Sequence, residues 1–326
     1  MKTLTMTWQD SVAKEMLDQH LVKEIPLSPQ RNYASMIVLR ECHSTAVLTT
    51  EGTVLDVELV RSGEEQEDLI SRVVLQKRKQ VAPERRTGRA FNRQLEVGEK
   101  CDYMNEMCGK CPDCLIYGFA ASKGEGAQRA RVMTDSGFAI RSYDGMQRSI
   151  TLNAIKDTSA GGVAGSAFAE REHIRPQVFF PTVESTVDVT SAEFMYILRN
   201  ILTTTRYGAE SNRQGYVKNH LVAVLFGSGE LLSNLSLTQK VYDRLYAKTG
   251  DKIHEFPLSL SEVTEATHSA MNDALEESYL PFDRLVGEDL NKFLGNVRDL
   301  WKSEEGNQLW QEQLKSDQQE YISNRK

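Results

Sequence analysis

Four of the five cysteines lie within fourteen residues, with the spacing Cys101-x6-Cys108-x2-Cys111-x2-Cys114. Thiolates bind tetrahedral zinc well, and the glycine and proline between the later cysteines allow the tight turns that bring successive sulfurs together. Because four thiolates fill the tetrahedron and leave no position for water, the spacing predicts one structural zinc ion per chain. An iron–sulfur cluster also accepts four thiolates at similar spacing and stays open as the alternative, whereas disulfides are disfavoured in a reducing compartment.

Residues 72–93 carry a dense block of positive charge, with eight Lys or Arg side chains and a single acid, Glu84. The chain as a whole has a net charge of −7, so positive charge is concentrated in this segment. A block of one sign repels itself unless an anionic partner neutralises it, and a phosphate backbone is the commonest such partner. The plainer interpretation is a solvated loop with counterions. The basic side chains that we single out as nucleic-acid contacts are Lys77, Arg78, Lys79, Arg85, Arg86, Arg89, Arg93, Arg129 and Arg131.

Length and composition indicate an ordinary globular protein. At 326 residues, with 40% hydrophobic and 26% charged side chains, the chain fits one domain with large insertions or one domain with an appendage. Nowhere do eighteen apolar residues follow one another, and Asp10, Glu15 and Asp18 interrupt the stretch where a signal peptide would be apolar. We therefore expect no membrane span, a location in the cytoplasm and reduced thiols.

Several helices and strands must position these residues. The first is a polar helix predicted at about 10–23, and two prolines that follow it end the helix. β-branched residues and alternation then predict strands at 33–40, 45–50 and 53–60. Acids followed by apolar residues at helical spacing predict the first core helix at 64–76.

Two insertions interrupt the regular pattern. The basic segment 77–100 contains Pro83 and Gly88 and lacks apolar periodicity, so we interpret it as irregular. At 155–187 the chain contains an uncharged stretch rich in small residues, which indicates the tip of a protruding hairpin. The uncharged tip is at 159–166. The strands expected on either side of it lie near 150–155 and at 177–187.

The second half of the pattern has strands at 129–134 and 137–142, a helix at 191–202 and a strand at 216–226. The order β, helix, insertion, β, β, helix, β is the split βαβ order of a ferredoxin-like or RRM-like sheet, so we predict an α+β fold of that kind. After residue 229 the chain becomes acidic and mostly helical. Helices are predicted there at 239–246, 261–278 and 283–301.

Three stretches carry a resemblance to a known family: CGKCPDCLIYG at 108–118, AIKDTSAGGVAGSAFAEREHIRPQVFFPT at 154–182 and SAEFMYILRNILTTTRYGAESNRQGYV at 191–217. Together they resemble the repeated backbone subunit of type I-D CRISPR surveillance complexes, in the RRM-like superfamily of repeat-associated proteins. The similarity runs from about residue 33 to about residue 226 and continues more loosely to the end. Its most specific part is the cysteine cluster combined with RYGAESNRQG at 206–215.

The resemblance implies an RRM-like palm with a hairpin thumb at 155–187, copied along a guide RNA whose sugar-phosphate backbone each copy grips. Such contacts suit a protein that must accept any spacer, since base-edge contacts would impose a sequence. The apolar thumb tip would wedge between bases and kink the strand. For the loop at 206–215, a simple helix-to-strand turn is the alternative interpretation. The RNA contacts implied in the thumb tip and in this loop are Gly161, Gly162, Arg206, Tyr207, Gly208, Arg213 and Gly215.

The resemblance also implies a set of partners and a division of the chain. The partners are the guide RNA, the target DNA strand through the guide, further copies of the chain, the large subunit, the repeat-tag-binding subunit and the repeat-processing endonuclease, with no membrane. The segments are an N-terminal extension (1–32), the first half of the palm (33–80), the basic and four-cysteine zinc insertion (81–128), the second half of the palm with the thumb (129–228) and a helical, acidic C-terminal region (229–326).

Catalysis is not expected from this sequence. Related backbone subunits of type III complexes cut RNA with an aspartate near the start of the palm, where this chain has Glu41, although cleavage through another carboxylate stays open. The alternative function is a metal-independent endonuclease that processes repeat RNA, for which His43, His173 and His220 are the candidates. We interpret Cys42 as a buried core thiol, and His43 and His220 as ordinary strand residues.

A third possible function is a general single-strand-binding module, which would need aromatic stacking platforms. Near the basic stretch the sequence offers Phe91, Tyr103 and Tyr117 for that purpose. Because these aromatic residues are few and the basic residues are many, a phosphate grip is favoured over base stacking.

Overall fold

The computed structural model describes residues 12–102, 106–120, 126–152, 169–208, 214–255 and 257–325. In this part of the chain no helix is both long and apolar enough to cross a membrane. Two short 3₁₀ helices lie at Tyr143–Gly145 and Gly250–His254. The α-helices are α1 (Val12–His20), α2 (Lys77–Gln94), α3 (Pro112–Tyr117), α4 (Ser191–Thr203), α5 (Asn234–Thr249), α6 (Leu260–Glu277), α7 (Gly287–Lys302) and α8 (Glu304–Asn324). The strands are β1 (Tyr33–Cys42), β2 (Val57–Arg61), β3 (Leu69–Leu75), β4 (Phe119–Ala120), β5 (Ala127–Gln128), β6 (Val132–Thr134), β7 (Gly137–Ser142), β8 (Gln147–Leu152), β9 (Ala169–Ile174), β10 (Phe179–Val187), β11 (Arg206–Tyr207), β12 (Gly215–Gly227) and β13 (Phe282–Leu285).

The central sheet has the strand order β11-β12-β1-β10-β6, with β13 also paired to β12. All of its pairs are antiparallel. Four of these strands, β1, β6, β10 and β12, alternate along the chain with helices α2 and α4 in the order β, α, β, β, α, β. In the sheet, β12 and β10 lie on either side of β1, and β6 lies beyond β10. This is the ferredoxin-like arrangement, so the predicted α+β, RRM-like fold is confirmed.

The first core helix is α2, and the prediction of a helix at 64–76 was wrong. Residues Leu69–Leu75 form β3, which pairs with β2 and β7 in a separate three-stranded sheet. The basic segment, interpreted above as irregular, is instead the 18-residue helix α2. Its buried side includes the polar residues Gln80, Glu84 and Asn92, so an apolar period could not reveal it. The insertion that carries the cysteines therefore begins after Gln94.

Gly88 allows α2 to lie close to α4. A Cβ atom at Gly88 would lie 2.4 Å from the Tyr196 hydroxyl oxygen and 2.6 Å from the Asn200 side-chain nitrogen, both on α4. Those two side chains are almost fully buried. The glycine that seemed to break the pattern in the sequence therefore sets the distance between the two core helices.

Gly88→Ala should lower the free energy of unfolding by about 1–3 kcal/mol, because overpacking between helices forces a shift of backbone or side chains. Gly295→Ala in α7 is the matched control, since a Cβ there would meet no atom within 4 Å. It should leave stability unchanged or raise it by about 0.5–1 kcal/mol through helix propensity. Urea unfolding of both variants measures the difference, and equal stabilities would show that α2 and α4 do not need the glycine.

Both faces of the central sheet are covered. On β1, Met36 and Val38 lie in a core with α1, α2, α4, α7 and α8. Ile37 and Leu39 lie in the opposite core, with α5 and α6. The helical C-terminal region is thus confirmed, and its helices cover both sides of the sheet. The sequence prediction missed β13, which lies in this region and pairs with β12.

In the region predicted to contain the thumb, β8 and β9 pair as an antiparallel hairpin from Gln147–Ile174 to Leu152–Ala169. The expected second flank, 177–187, is not part of it, because Phe179–Val187 forms the core strand β10. The predicted strand at 45–50 is reduced to a single bridge between Ala46 and Ile174. The remaining predicted strands and helices are present with shifted ends, and the thumb tip, with Gly161 and Gly162, lies outside the described residues.

Candidate nucleic-acid interface

The four clustered cysteines bring their sulfur atoms together at the distances of a single-ion site. The Sγ atoms of Cys101 and Cys114 are 3.5 Å apart, those of Cys111 and Cys101 are 3.7 Å apart, and those of Cys108 and Cys114 are 3.9 Å apart. A tetrahedral ion with bonds of about 2.3 Å to sulfur separates its ligands by about 3.8 Å. Several irons and their bridging sulfides do not fit among sulfurs this close, so the spacing suits one ion. None of the five cysteines is in a disulfide.

Backbone conformation places these sulfurs. Gly98 and Gly109 have φ angles of +63° and +67°, which side-chain-bearing residues rarely adopt. A Cβ at Gly98 would also lie 2.7 Å from the Cβ of Cys111. Cys111 is the N-cap of α3, and the proline after it occupies the first turn, where its missing N–H costs nothing. Hydrogen bonding among the thiols lowers the pKa of Cys108 and raises that of Cys111.

Asp113 ties the cysteine insertion to α2. Its fully buried carboxylate accepts two hydrogen bonds of 2.9 Å from Arg85 and one of 3.1 Å from Arg89. Arg85 also donates to the carbonyl of Gly118 at 3.1 Å. Burial alone would lower the pKa of Arg85, but the hydrogen bonds and charge of Asp113 raise it. Two of the seven α2 residues predicted to contact nucleic acid are thus held inside the chain.

The other basic residues of α2 face solvent. Lys77, Arg78, Arg86 and Arg93 are exposed, and Lys79 is partly exposed. Spacings of eight and seven residues place Arg78, Arg86 and Arg93 on the same side of the helix. Arg78 has a distant, exposed pairing with a glutamate at 3.9 Å, a geometry that contributes little stability. Burial lowers the pKa of Lys79, and the charge of Arg78 lowers it further.

A buried cluster around Arg40 attaches α2 to the sheet. Arg40 donates to Glu84 of α2 at 2.7 Å and to Glu184 of β10 at 3.1 Å. It also donates to the Tyr207 hydroxyl at 3.1 Å and to the Asn219 side chain at 3.2 Å. Burial and the charge of Glu84 raise the pKa of Glu184, whereas the charge of Arg40 and its hydrogen bond lower it. Sequence reasoning missed this cluster, because its members lie far apart along the chain.

The remaining predicted arginines have different environments. Arg129 is exposed. Arg131 is buried, where it forms a two-point ion pair with Glu193 and donates to the carbonyl oxygens of Asp188 at 2.9 Å and Leu115 at 3.3 Å. Contact with RNA would require Arg131 to leave these partners, so its role in binding stays a prediction and it does not belong to the exposed basic surface.

The predicted loop after α4 is divided between surface and interior. Arg206 is exposed and lies over the Tyr216 ring at 5.7 Å, whereas Tyr207 is fully buried in the Arg40 cluster. A Cβ at Gly208 would lie 2.5 Å from the carbonyl oxygen of Val47, and one at Gly215 would lie 2.2 Å from the Cβ of Ala46. These glycines therefore allow close contact with the chain's own residues Ala46 and Val47. Arg213 lies outside the described residues.

Two of the three aromatic residues proposed for base stacking are buried and are not available as platforms. Phe91 and Tyr117 are 5% and 6% exposed, and Tyr103 lies outside the described residues.

Of the histidines proposed for catalysis, His173 is buried and contacts the carbonyl of Arg171. His43 and His220 both lie against one glutamate, Glu41.

Comparison with known proteins gives a family and a fold. A family model described as Csc2 Crispr matches residues 20–310. Comparison with curated proteins gave no match. The crystal structure of Thermofilum pendens Csc2 is similar over 88% of this chain and 95% of that chain, with 17% sequence identity and a TM-score of 0.50, which shows a shared fold. A chain of a CRISPR RNA-guided surveillance complex has 8% identity and a TM-score of 0.47 over 77% of this chain and 87% of its own. A chain of a type IV-B CRISPR complex has 12% identity and a TM-score of 0.40 over 58% and 90%.

Proposed function

Because the chain belongs to the Csc2 CRISPR family, we propose that it is a non-catalytic backbone subunit that coats the guide RNA of a type I-D CRISPR surveillance complex. The observation that most supports this function is the solvent-exposed row of Arg78, Arg86 and Arg93 on a helix that buried ion pairs hold in place. Copies of the chain would bind side by side along the RNA and leave its bases free to pair with the target DNA strand.

The geometry of α2 suits a grip on the phosphate backbone. At about 1.5 Å per residue, eight and seven residues separate the three arginines by about 12 and 10 Å, so each one reaches a different phosphate. Phosphate contacts set the position of the nucleic acid without reading its sequence. Exposed Arg206 lies on β11, which contacts α2, and would extend the same surface. Lys77 is also exposed, but nine residues separate it from Arg86, which places it on the opposite side of the helix.

We assign the four-cysteine site to one structural zinc ion. The sulfur separations fit a tetrahedral ion, and four thiolates suit zinc more than any hard cation. An ion held by Cys101, Cys108, Cys111 and Cys114 would fix α3 and with it Asp113, which binds Arg85 and Arg89 of α2. In this proposal the metal does not contact RNA, and it acts by holding the helix that does.

The other implied roles fit the same assembly. The β8–β9 hairpin, rather than the whole of the predicted 155–187, would be the thumb that separates groups of guide bases. The large subunit, the repeat-tag-binding subunit and the repeat-processing endonuclease would complete the complex. The exposed Arg129 and the predicted contacts Gly161, Gly162 and Arg213 would add to the RNA path.

The triple variant Arg78→Ala, Arg86→Ala, Arg93→Ala tests this function. Loss of three contacts to single-stranded RNA should reduce the slope of log K against log salt by about 2 and weaken binding by about 10- to 100-fold at moderate salt. The loss should be equal for guides of different sequence, because phosphates are the same in all of them. Fluorescence anisotropy with labelled guide RNAs at several KCl concentrations measures both quantities.

A matched control removes three charges elsewhere. Lys292, Arg298 and Lys302 are exposed on α7, and their joint replacement by Ala changes the net charge by the same amount. This control should keep the affinity and salt slope of the unchanged chain, and an equal loss in both variants would reject the α2 surface. Repeat RNA should be recovered intact from these assays, whereas specific fragments would favour the alternative function of a repeat-processing endonuclease.

A further inference from the structure

A second cluster of metal-ligating side chains lies at the end of the central sheet, away from the four cysteines in sequence and in ligand chemistry. It consists of Glu41, near the end of β1, His43, just after β1, and His220 on β12. The Nε2 atom of His220 lies 2.8 Å from Oε2 of Glu41, and the Nε2 atom of His43 lies 3.0 Å from the same oxygen. Two imidazoles therefore converge on one carboxylate oxygen.

Strand pairing brings these residues together. On β1 and β12, Leu39 is opposite His220 and Glu41 is opposite Lys218. Directly opposite residues of an antiparallel pair share a face, so Glu41 and His220 are diagonal neighbours on one face of the sheet. This face carries α5 and α6 farther along β1, but the strands extend beyond that cover.

His43 is held in place by the backbone that follows β1. Its N–H donates to the carbonyl oxygen of Tyr216 at 2.8 Å, and the Tyr216 N–H donates to the Ser44 hydroxyl at 2.7 Å. The His43 ring also packs beside the Tyr216 ring, with 5.8 Å between ring centroids. The turn thus holds the His43 ring against Glu41 while the side chain stays partly open to solvent.

We propose that Glu41, His43 and His220 bind a divalent transition-metal ion of the class that prefers imidazole, such as Ni²⁺. Bonds of about 2.0–2.1 Å at right angles separate two ligand atoms by about 2.9 Å, and the observed nitrogen-to-oxygen distances are 2.8 and 3.0 Å. All three ligand atoms lie within 4.8 Å of one another. The carboxylate supplies negative charge, and two imidazoles select borderline ions over Mg²⁺ or Ca²⁺.

The surroundings leave such an ion accessible. The side chains of Glu41 and His220 are 13% and 15% exposed, whereas that of His43 is 40% exposed, so the site opens on the His43 side. Three protein ligands leave coordination positions that water or an anion would fill. Exposed Lys218, opposite Glu41 in the strand pairing, favours an anion as the additional ligand. The site is thus of the open kind, in contrast to the closed four-thiolate site.

Isothermal titration of the tag-free, zinc-loaded full chain with NiCl₂ tests the proposal. We expect one Ni²⁺ per chain in addition to the zinc, with X-ray absorption showing nitrogen and oxygen ligands and no sulfur. Glu41→Gln and His220→Gln should each weaken Ni²⁺ binding at least tenfold. His43→Ala, at the most exposed of the three positions, should do the same in a chain whose thermal unfolding is unchanged.

The control is the single pair of His20 and Asp283, in which one imidazole nitrogen lies 2.7 Å from one carboxylate oxygen. Asp283→Asn should leave Ni²⁺ binding as it is, because a pair offers only two ligands. The proposal would be overturned if Ni²⁺ bound only by replacing zinc at the cysteines. It would also be overturned if Asp283→Asn and His43→Ala weakened Ni²⁺ binding equally.

Discussion

Cys111→Ser should abolish stoichiometric zinc binding and loosen the segment from residue 97 to residue 118. The Cys111 side chain is fully buried and its sulfur lies 3.7 Å from that of Cys101, so serine puts a poor ligand at the centre of the site. A structural zinc ion contributes on the order of 10 kcal/mol to the folding of a small metal-bound segment, and loss of a ligand removes a large part of it. Asp113 would then no longer be fixed against α2, and RNA affinity should fall as well.

Metal analysis and hydrogen exchange measure this effect. We expect one zinc per unchanged chain, much less than one in Cys111→Ser, and rapid exchange of amides in 97–118 of the variant. Cys42→Ser is the matched control, because Cys42 is equally buried but lies in the strand core, where burial raises its pKa to about 12. It should retain zinc. An unchanged chain that contains no metal and protects this segment equally well would refute the assignment.

The cysteine site could be predicted because all of its ligands are local. Four thiolates within fourteen residues need only a few tight turns to meet, and no distant strand pairing has to be known. The Glu41, His43 and His220 cluster is the opposite case. His220 reaches Glu41 only through the register of β1 on β12, and both histidines were interpreted as ordinary strand residues.

The order of the core elements was predicted correctly, but one helix and one strand were assigned to the wrong segments. The third core strand is β10, whereas the predicted strand at 137–142 is β7 of the separate three-stranded sheet. The residues at 69–75 fit a helical face and a strand almost equally well, and pairing with β2 and β7 decides for the strand. The true helix α2 buries polar residues, so its period is not apolar. Glu84 binds Arg40 of β1 and the Tyr207 hydroxyl of β11, and Gln80 donates to the carbonyl oxygens of Leu75 and Asp135. The sequence did not show which of its basic residues lie at the surface, because the division between outward arginines and those bound to Asp113 depends on tertiary contacts.

Arg40→Met should lower the free energy of unfolding by about 3–5 kcal/mol, because it leaves a buried carboxylate without its cation. Arg40, Glu84 and Glu184 all have fully buried side chains, so water cannot take the place of the guanidinium. The variant would also free the Tyr207 hydroxyl and Asn219 from the donor that now orients them. Urea unfolding followed by circular dichroism measures the loss.

A double variant separates loss of charge balance from loss of packing. Adding Glu84→Gln to Arg40→Met removes the orphaned negative charge and should recover part of the lost stability, since a neutral amide is less costly to bury than an unpaired carboxylate. Arg78→Met is the surface control, because its exposed pairing at 3.9 Å should contribute less than about 0.5 kcal/mol. If Arg40→Met lowered the free energy of unfolding no more than Arg78→Met does, the buried cluster would not be what holds α2 on the sheet. The exposed arginines of that helix would then lack the rigid support that phosphate binding needs.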